Sequence, residues 1–226
     1  MAEAVSSLVR QKLTRDALSI AIASGAYALS FGAIATTSGL DLLETMSLSL
    51  LMFTGASQFA FVGIIGSGGS IWAGAATAAL LGSRNALYGV RLTSLLNVVG
   101  PRTFGAAHFV IDETTAMAIA QDSKSDSRLA FWITGLLLFA FWNLGTLIGA
   151  LATHALPDPR VFGLDAAPPA AYLALLAPRL RAREPLAIAL AAGLVALICL
   201  PFVPAGIPLL IVAAVVALYG LLGKSR

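Results

Sequence analysis

The chain has one cysteine among its 226 residues, Cys199, and two histidines. That excludes a disulfide framework and leaves no Cys/His spacing suited to a metal. Cys199 lies deep in an apolar run, where a thiol behaves as a small apolar side chain. Charge is scarce too. Asp, Glu, Lys and Arg make up 11% of the chain, against about 25% in soluble domains. Neither an HExxH motif nor a GxSxG elbow occurs, so hydrolase chemistry inside a membrane has no anchor. We read the chain as no enzyme, and as needing no cofactor and no metal.

What is abundant is apolar. Hydrophobic residues are 58% of the chain and the mean hydropathy is +0.89. Nearly all of the sequence lies in apolar runs or short connections, which leaves no room for a separate soluble domain. Residues 1–226 therefore read as a single transmembrane domain. It is all-α, because in hydrocarbon a helix satisfies its own backbone. The net charge of +3 and the pI of about 9.4 would suit nucleic acid if the basic residues formed one patch. They sit instead in small groups at the ends of apolar runs, as the charge bias of membrane proteins expects. Nucleic acid is excluded as a partner; the lipid bilayer is implied. Arg10, Lys12 and Arg15 precede the first apolar run, which is long for a secretory signal and carries Gly25, Tyr27 and Gly32. It reads as a first spanning helix with a basic cytoplasmic flank.

About 20 mostly apolar residues span a bilayer. The runs are 17–37, 45–66, 70–90, 104–121, 130–153, 166–178, 186–203 and 205–222. Gly66–Ser70 and Pro201–Pro208 break neighbouring runs apart, and Pro168, Pro169 and Pro178 bracket the sixth. With eight crossings and a cytoplasmic N-terminus, the cytoplasmic set is Arg10, Lys12, Arg15, Lys124, Arg128, Arg179, Arg181, Arg183, Lys224 and Arg226. Asp41 and Glu44 fall outside. Arg84, Arg91, Arg102 and Arg160 are the exceptions. A second parse removes most of them. If 45–66 and 104–121 are re-entrant or broken helices that do not fully cross, Arg91 and Arg102 become cytoplasmic and Arg84 lies in or just below the membrane surface. Irregular backbone at that depth is tolerated where it lines a cavity or is buried in protein. Both parses put both termini in the cytoplasm.

Small residues recur at helical spacing: Gly74, Ala78 and Gly82; Gly145 and Gly149; Ala28 and Gly32. Such faces let helix backbones approach closely. No internal repeat is evident, although the polar, Gly-containing patches at 55–58 and 143–149 are candidates for corresponding broken segments.

Polar groups inside apolar runs carry the functional expectation, since in hydrocarbon they face protein or water. The strongest case is AAHFVIDETTAMAIA, residues 106–120, with adjacent acids Asp112 and Glu113. A carboxyl there either takes a proton or finds a cation. Arg84 and Arg91 share a helix face and are the natural partners. These four are the proton-coupling or ion-pair candidates. His108 falls one turn before Asp112, a spacing that suits a local hydrogen bond. Gly55, Ser57 and Gln58, with Asn143, are candidates to bind a polar or zwitterionic solute; interhelical hydrogen bonding is the alternative. Asp165 reads as a helix cap.

Three blocks together resemble the AzlC family, the large subunit of branched-chain amino acid permeases. They are MSLSLLMFTGASQFA (46–60) continuing to RNALYGVRL (84–92), DETT (112–115), and WNLGTLIG (142–149) followed by GLD (163–165). The resemblance covers residues 17–180. Ser83-Arg84-Asn85 departs from the family's more usual Asn-Arg-His. The resemblance implies export of branched-chain and related hydrophobic amino acids by secondary transport, in the plasma (inner) membrane of a prokaryote. It also implies a small AzlD-type membrane partner. In that reading Gly55, Ser57 and Gln58 meet the amino acid, and Asp112 or Glu113 exchanges a coupling proton. The alternatives are a non-transporting scaffold subunit and a small-solute channel. Homo-oligomerisation stays open.

Overall fold

A computed structural model describes residues 2–155, 173, 177, 179–204 and 206–223. Among these every regular element is helical. The helices are α1 (Ala2–Thr37), α2 (Leu42–Leu51), α3 (Gly55–Gly66), α4 (Ile71–Leu96), α5 (Arg102–His108), α6 (Asp112–Ile119), α7 (Lys124–Ala155), α8 (Arg183–Cys199) and α9 (Ile207–Gly223).

The spine is a parallel pair, α1 and α7. Gly25 lies against Phe141 and Gly145, Gly32 against Thr146 and Ala150, and the Thr36 and Thr153 hydroxyls are hydrogen-bonded at 2.8 Å. The small residues make this seam. A Cβ on Gly32 would overlap the Thr146 carbonyl oxygen; one on Gly145 or Gly149 would overlap the carbonyl of Gly25 or Leu29. Arg10–Thr37 and Lys124–Thr153 are each long and apolar enough to cross a membrane. We call the end where α1 and α7 start the lower end, and the other the upper end.

At the upper end Asp41 caps α2 through a capping box with Glu44. The helix then descends along α7, where the Ser49 hydroxyl donates to Thr146 Oγ1 at 3.1 Å. The chain breaks at Met52–Thr54 and reverses. α3 climbs back beside α1, with Phe59 stacked on Tyr27 and edge-on to Phe31. It ends with Gly66 against Ser38, at the level where α2 began. Across the hairpin, Gln58 Nε2 donates to the Leu48 carbonyl at 2.9 Å. The turn to α4 uses Gly68 at φ +78, and Ser70 caps α4 through Ala73 N–H.

α4 has 26 residues and is about 39 Å long at 1.5 Å per residue. It descends antiparallel to α3. The face Gly74, Ala78, Gly82 predicted for close packing meets Phe61 and Ser57 of α3. At the lower end Arg128 Nε donates to the Leu95 carbonyl, joining the end of α4 to the start of α7. From there α5 rises, the chain breaks at Phe109–Ile111, and α6 descends to α7, packing Ala118 with Phe131.

Runs 45–66 and 104–121 are therefore hairpins entering from opposite ends. Each is broken near its middle, which fits the re-entrant parse rather than eight unbroken spanning helices. The expectation of a broken segment at 143–149 is corrected: α7 runs through it unbroken. The counterpart of the 52–54 break is 109–111. Arg10, Lys12, Arg15, Arg91, Arg102, Lys124 and Arg128 all gather at the lower end, while Asp41 and Glu44 sit at the upper. Helices α8 and α9 pack on each other. Gly206 lies against Ile64 and Ala73 at the upper end, so Arg183 begins α8 at the lower end as well. Arg160, Asp165, Lys224, Arg226 and almost all of run 166–178 lie outside the described residues.

Candidate functional site

The two hairpin tips meet midway along α7. Phe53 packs edge-on to Phe139 at 5.0 Å and to Phe109 at 6.0 Å, and stacks on His108 at 5.7 Å. Aromatic pairs at these separations are favourable beyond their buried area. This knot replaces the ordinary turn residues and fixes the two tips against one wall.

Beside the knot is a cavity of about 530 Å³. That is within the roughly 300–1,000 Å³ range of small-molecule sites. Its walls come from five places: Ala23, Ser24 and Tyr27 of α1; Phe53 to Ala56 at the first tip; Arg84 of α4; Ile111 to Glu113 and Ala116 at the second tip; Leu138 and Trp142 of α7. Most of the wall is apolar or aromatic. The charged groups are Arg84, Asp112 and Glu113.

Both tips present a helix N-terminus to this cavity. α3 starts at Gly55, where Thr54 makes no side-chain cap, and α6 starts at Asp112. The acids in the first turn of α6 complement its positive end. Gly55 is needed for packing, since a Cβ there would run into the Trp142 ring. Arg84 stands near the middle of α4 and its Nη2 lies 2.8 Å from Asp112 Oδ2. The pair joins α4 to the second tip. Both side chains stay partly exposed, Arg84 at 35% and Asp112 at 46%.

The sequence-predicted residues divide. Gly55, Arg84, Asp112 and Glu113 are brought together around one cavity. Ser57, Gln58, Asn143 and Arg91 are not part of its lining. The Ser57 hydroxyl donates to the Ala78 carbonyl at 2.9 Å, and Gln58 bonds Leu48 as described; both side chains are buried. Asn143 Nδ2 donates one turn back, to the Phe139 carbonyl at 2.8 Å. Those three polar groups join helices or bond their own. Arg91 is exposed and makes no ion pair among the described residues. The expected His108–Asp112 helix face is absent because the chain breaks between them; His108 packs among Phe53, Phe109 and Phe139. Sequence reading missed Tyr27, Phe53, Thr54 and Trp142 as lining residues. The signal for Tyr27 was a polar-tipped aromatic inside the first apolar run.

Every residue named in the lining falls between Ala23 and Trp142. The model of the family described as AzlC protein matches residues 19–156, which contain this whole arrangement. "Inner membrane protein YgaZ" of Escherichia coli (strain K12) is 31% identical over 147 residues, 63% of this chain and 60% of the relative. The match thus spans less than two thirds of that relative's length. An "uncharacterized membrane protein" of Archaeoglobus fulgidus is 32% identical over 178 residues, 75% of each chain. No solved structure matches. The aligned segment carries both hairpins, the α1–α7 seam and the ion pair between them, and the chain belongs to the AzlC protein family.

Proposed function

We propose that this chain is a secondary transporter subunit for branched-chain or related hydrophobic amino acids, working in the export direction in a prokaryotic plasma membrane. One observation carries the reading: a cavity at mid-depth, formed where two hairpins from opposite ends meet, with one cation and two acids set in apolar walls. Transport sites are typically built from discontinuous helices near the bilayer midplane, where half-helix N-termini face anionic groups. Here α3 offers such an N-terminus at Gly55. The aliphatic side chain of the substrate would rest on Ala23, Ile111, Ala116 and Leu138. Asp112 or Glu113 exchanges the coupling proton. The basic lower end is cytoplasmic by the charge bias of membrane proteins, which puts the N-terminus there. A small AzlD-type membrane protein is the proposed partner.

A scaffold role without transport has one observation in its favour: Arg84 and Asp112 already satisfy each other as an ion pair. The two readings separate in proteoliposomes loaded with unlabelled leucine or valine and supplied with the labelled form, with and without the small partner. Saturable exchange supports a carrier. Exchange seen only with the partner makes the two-chain complex the functional unit. No exchange from folded protein in either preparation overturns the transport reading.

A further inference from the structure

We propose that the Arg84–Asp112 ion pair is itself the amino-acid receptor, opened by a zwitterion that inserts between the two charges. The inference rests on the transport reading and names what that reading leaves open, namely which groups hold the substrate's charged ends. Three observations carry it. The pair is the only ion pair at mid-depth among the described residues, and both its members line the cavity. It is made by one contact, Nη2 to Oδ2 at 2.8 Å, and not by the two parallel bonds of a full guanidinium–carboxylate fork. Arg84 Nε, a second donor of the same fork, is buried without a hydrogen-bond partner. The pair is thus under-bonded where a structural pair would be saturated.

An α-amino acid fits this arrangement by charge. Its carboxylate takes the Arg84 fork and its ammonium takes the Asp112 carboxylate. The row then alternates in sign, and the net charge in the cavity is the same loaded and empty. Neither Arg84 nor Asp112 is left without an opposite charge at any stage, which avoids the cost of stranding one member of the pair. Ser57, Gln58 and Asn143 are not needed, in keeping with their bonds elsewhere. The empty pair also closes the gap between α4 and the second hairpin tip, so insertion of substrate separates those two elements.

The geometry demands both charged ends of the ligand. Three probes sharing one aliphatic body separate the possibilities: leucine, isopentylamine (leucine without its carboxylate) and 4-methylpentanoate (leucine without its amine). In wild-type proteoliposomes only leucine should compete for labelled-leucine exchange. Arg84→Gln and Asp112→Asn should each lower that exchange by roughly tenfold or more, since each removes the group that would hold one charged end of the substrate. A single variant could fail to fold because its partner is stranded. The double variant Arg84→Gln/Asp112→Asn removes both charges together and keeps the protein assembled. Its loss of exchange at normal abundance and melting temperature confirms the receptor role. Retained exchange in the folded double variant overturns it while leaving the transport reading in place, as does equal competition by either single-ended probe. Absence of leucine exchange in the wild type overturns both.

Discussion

Gln58 reaches across its own hairpin to Leu48: its Nε2 donates to the Leu48 carbonyl at 2.9 Å, tying α3 to α2. Ser57 does the same for the next seam, donating to the Ala78 carbonyl of α4 at 2.9 Å. Two polar side chains inside an apolar run thus hold helix to helix. They sit next to the cavity without entering its wall.

Ser57→Ala removes one buried hydrogen bond and should lower stability by about 1 kcal/mol. Gln58→Leu should have a similar effect. In both variants the melting temperature in detergent falls while the KM for leucine exchange stays at the wild-type value. A raised KM with unchanged melting would return these residues to the substrate site.

The α1–α7 seam should not accept a side chain. Gly32→Ala or Gly145→Ala forces a methyl group into backbone across the seam and costs about 1–3 kcal/mol, as over-packing does. Gly63 is the control, with open space where its Cβ would stand. The expected result is a clear fall in melting temperature for the first two and none for Gly63→Ala. Equal behaviour of all three would show that the helices are not in this contact.

The two hairpins fix which loops share a side of the membrane. In a Cys199→Ser background, Leu43→Cys and Ser67→Cys should label from one side, and Val99→Cys and Asp122→Cys from the other. These positions flank the hairpins, and the three loop residues and Leu43 are exposed. Eight full crossings would instead split each pair. Labelling by a membrane-impermeant maleimide in right-side-out and inverted vesicles decides it.

Glu113 lines the cavity and forms no ion pair among the described residues, so it is the acid free to carry a proton. Glu113→Gln should preserve leucine counterflow and abolish substrate-driven proton movement, read with a pH-sensitive dye inside the vesicles. If Glu113→Gln and Asp112→Asn both leave proton movement intact, the coupling idea fails.

Much of the frame was legible in the sequence. Hydropathy located the apolar runs, and the small residues Ala28 and Gly32, 74–82 and 145–149 marked seams that the structure uses. The hairpin tips were not legible locally. Met52-Phe53-Thr54 and Phe109-Val110-Ile111 contain neither glycine nor proline, so the usual turn chemistry is missing. They are held by tertiary contacts, chiefly the aromatic knot around Phe139, which no local pattern encodes. The indirect sign was electrostatic: Arg91 and Arg102 fitted the charge bias only if their flanking runs turned back. The same break explains the failed His108–Asp112 face, because that expectation assumed one continuous helix. Arg84, Asp112 and Glu113 converge on the cavity, whereas Ser57, Gln58 and Asn143 donate to backbone carbonyls outside its wall.

The seam that joins α1 to α7 also dictates an order of assembly. It pairs α1, which is synthesised before the other elements lining the cavity, with α7, the last of them. Until Gly145 and Gly149 are synthesised, the glycine face of α1 has only lipid beside it, and both re-entrant tips lack the wall that Phe139 provides. A nascent chain stopped before α7 holds two hairpins with polar backbone at their tips and nothing to bury it. Release of α7 into the bilayer is therefore the committing event of biogenesis. Quality control acting on this protein would find its target in the interval before that release.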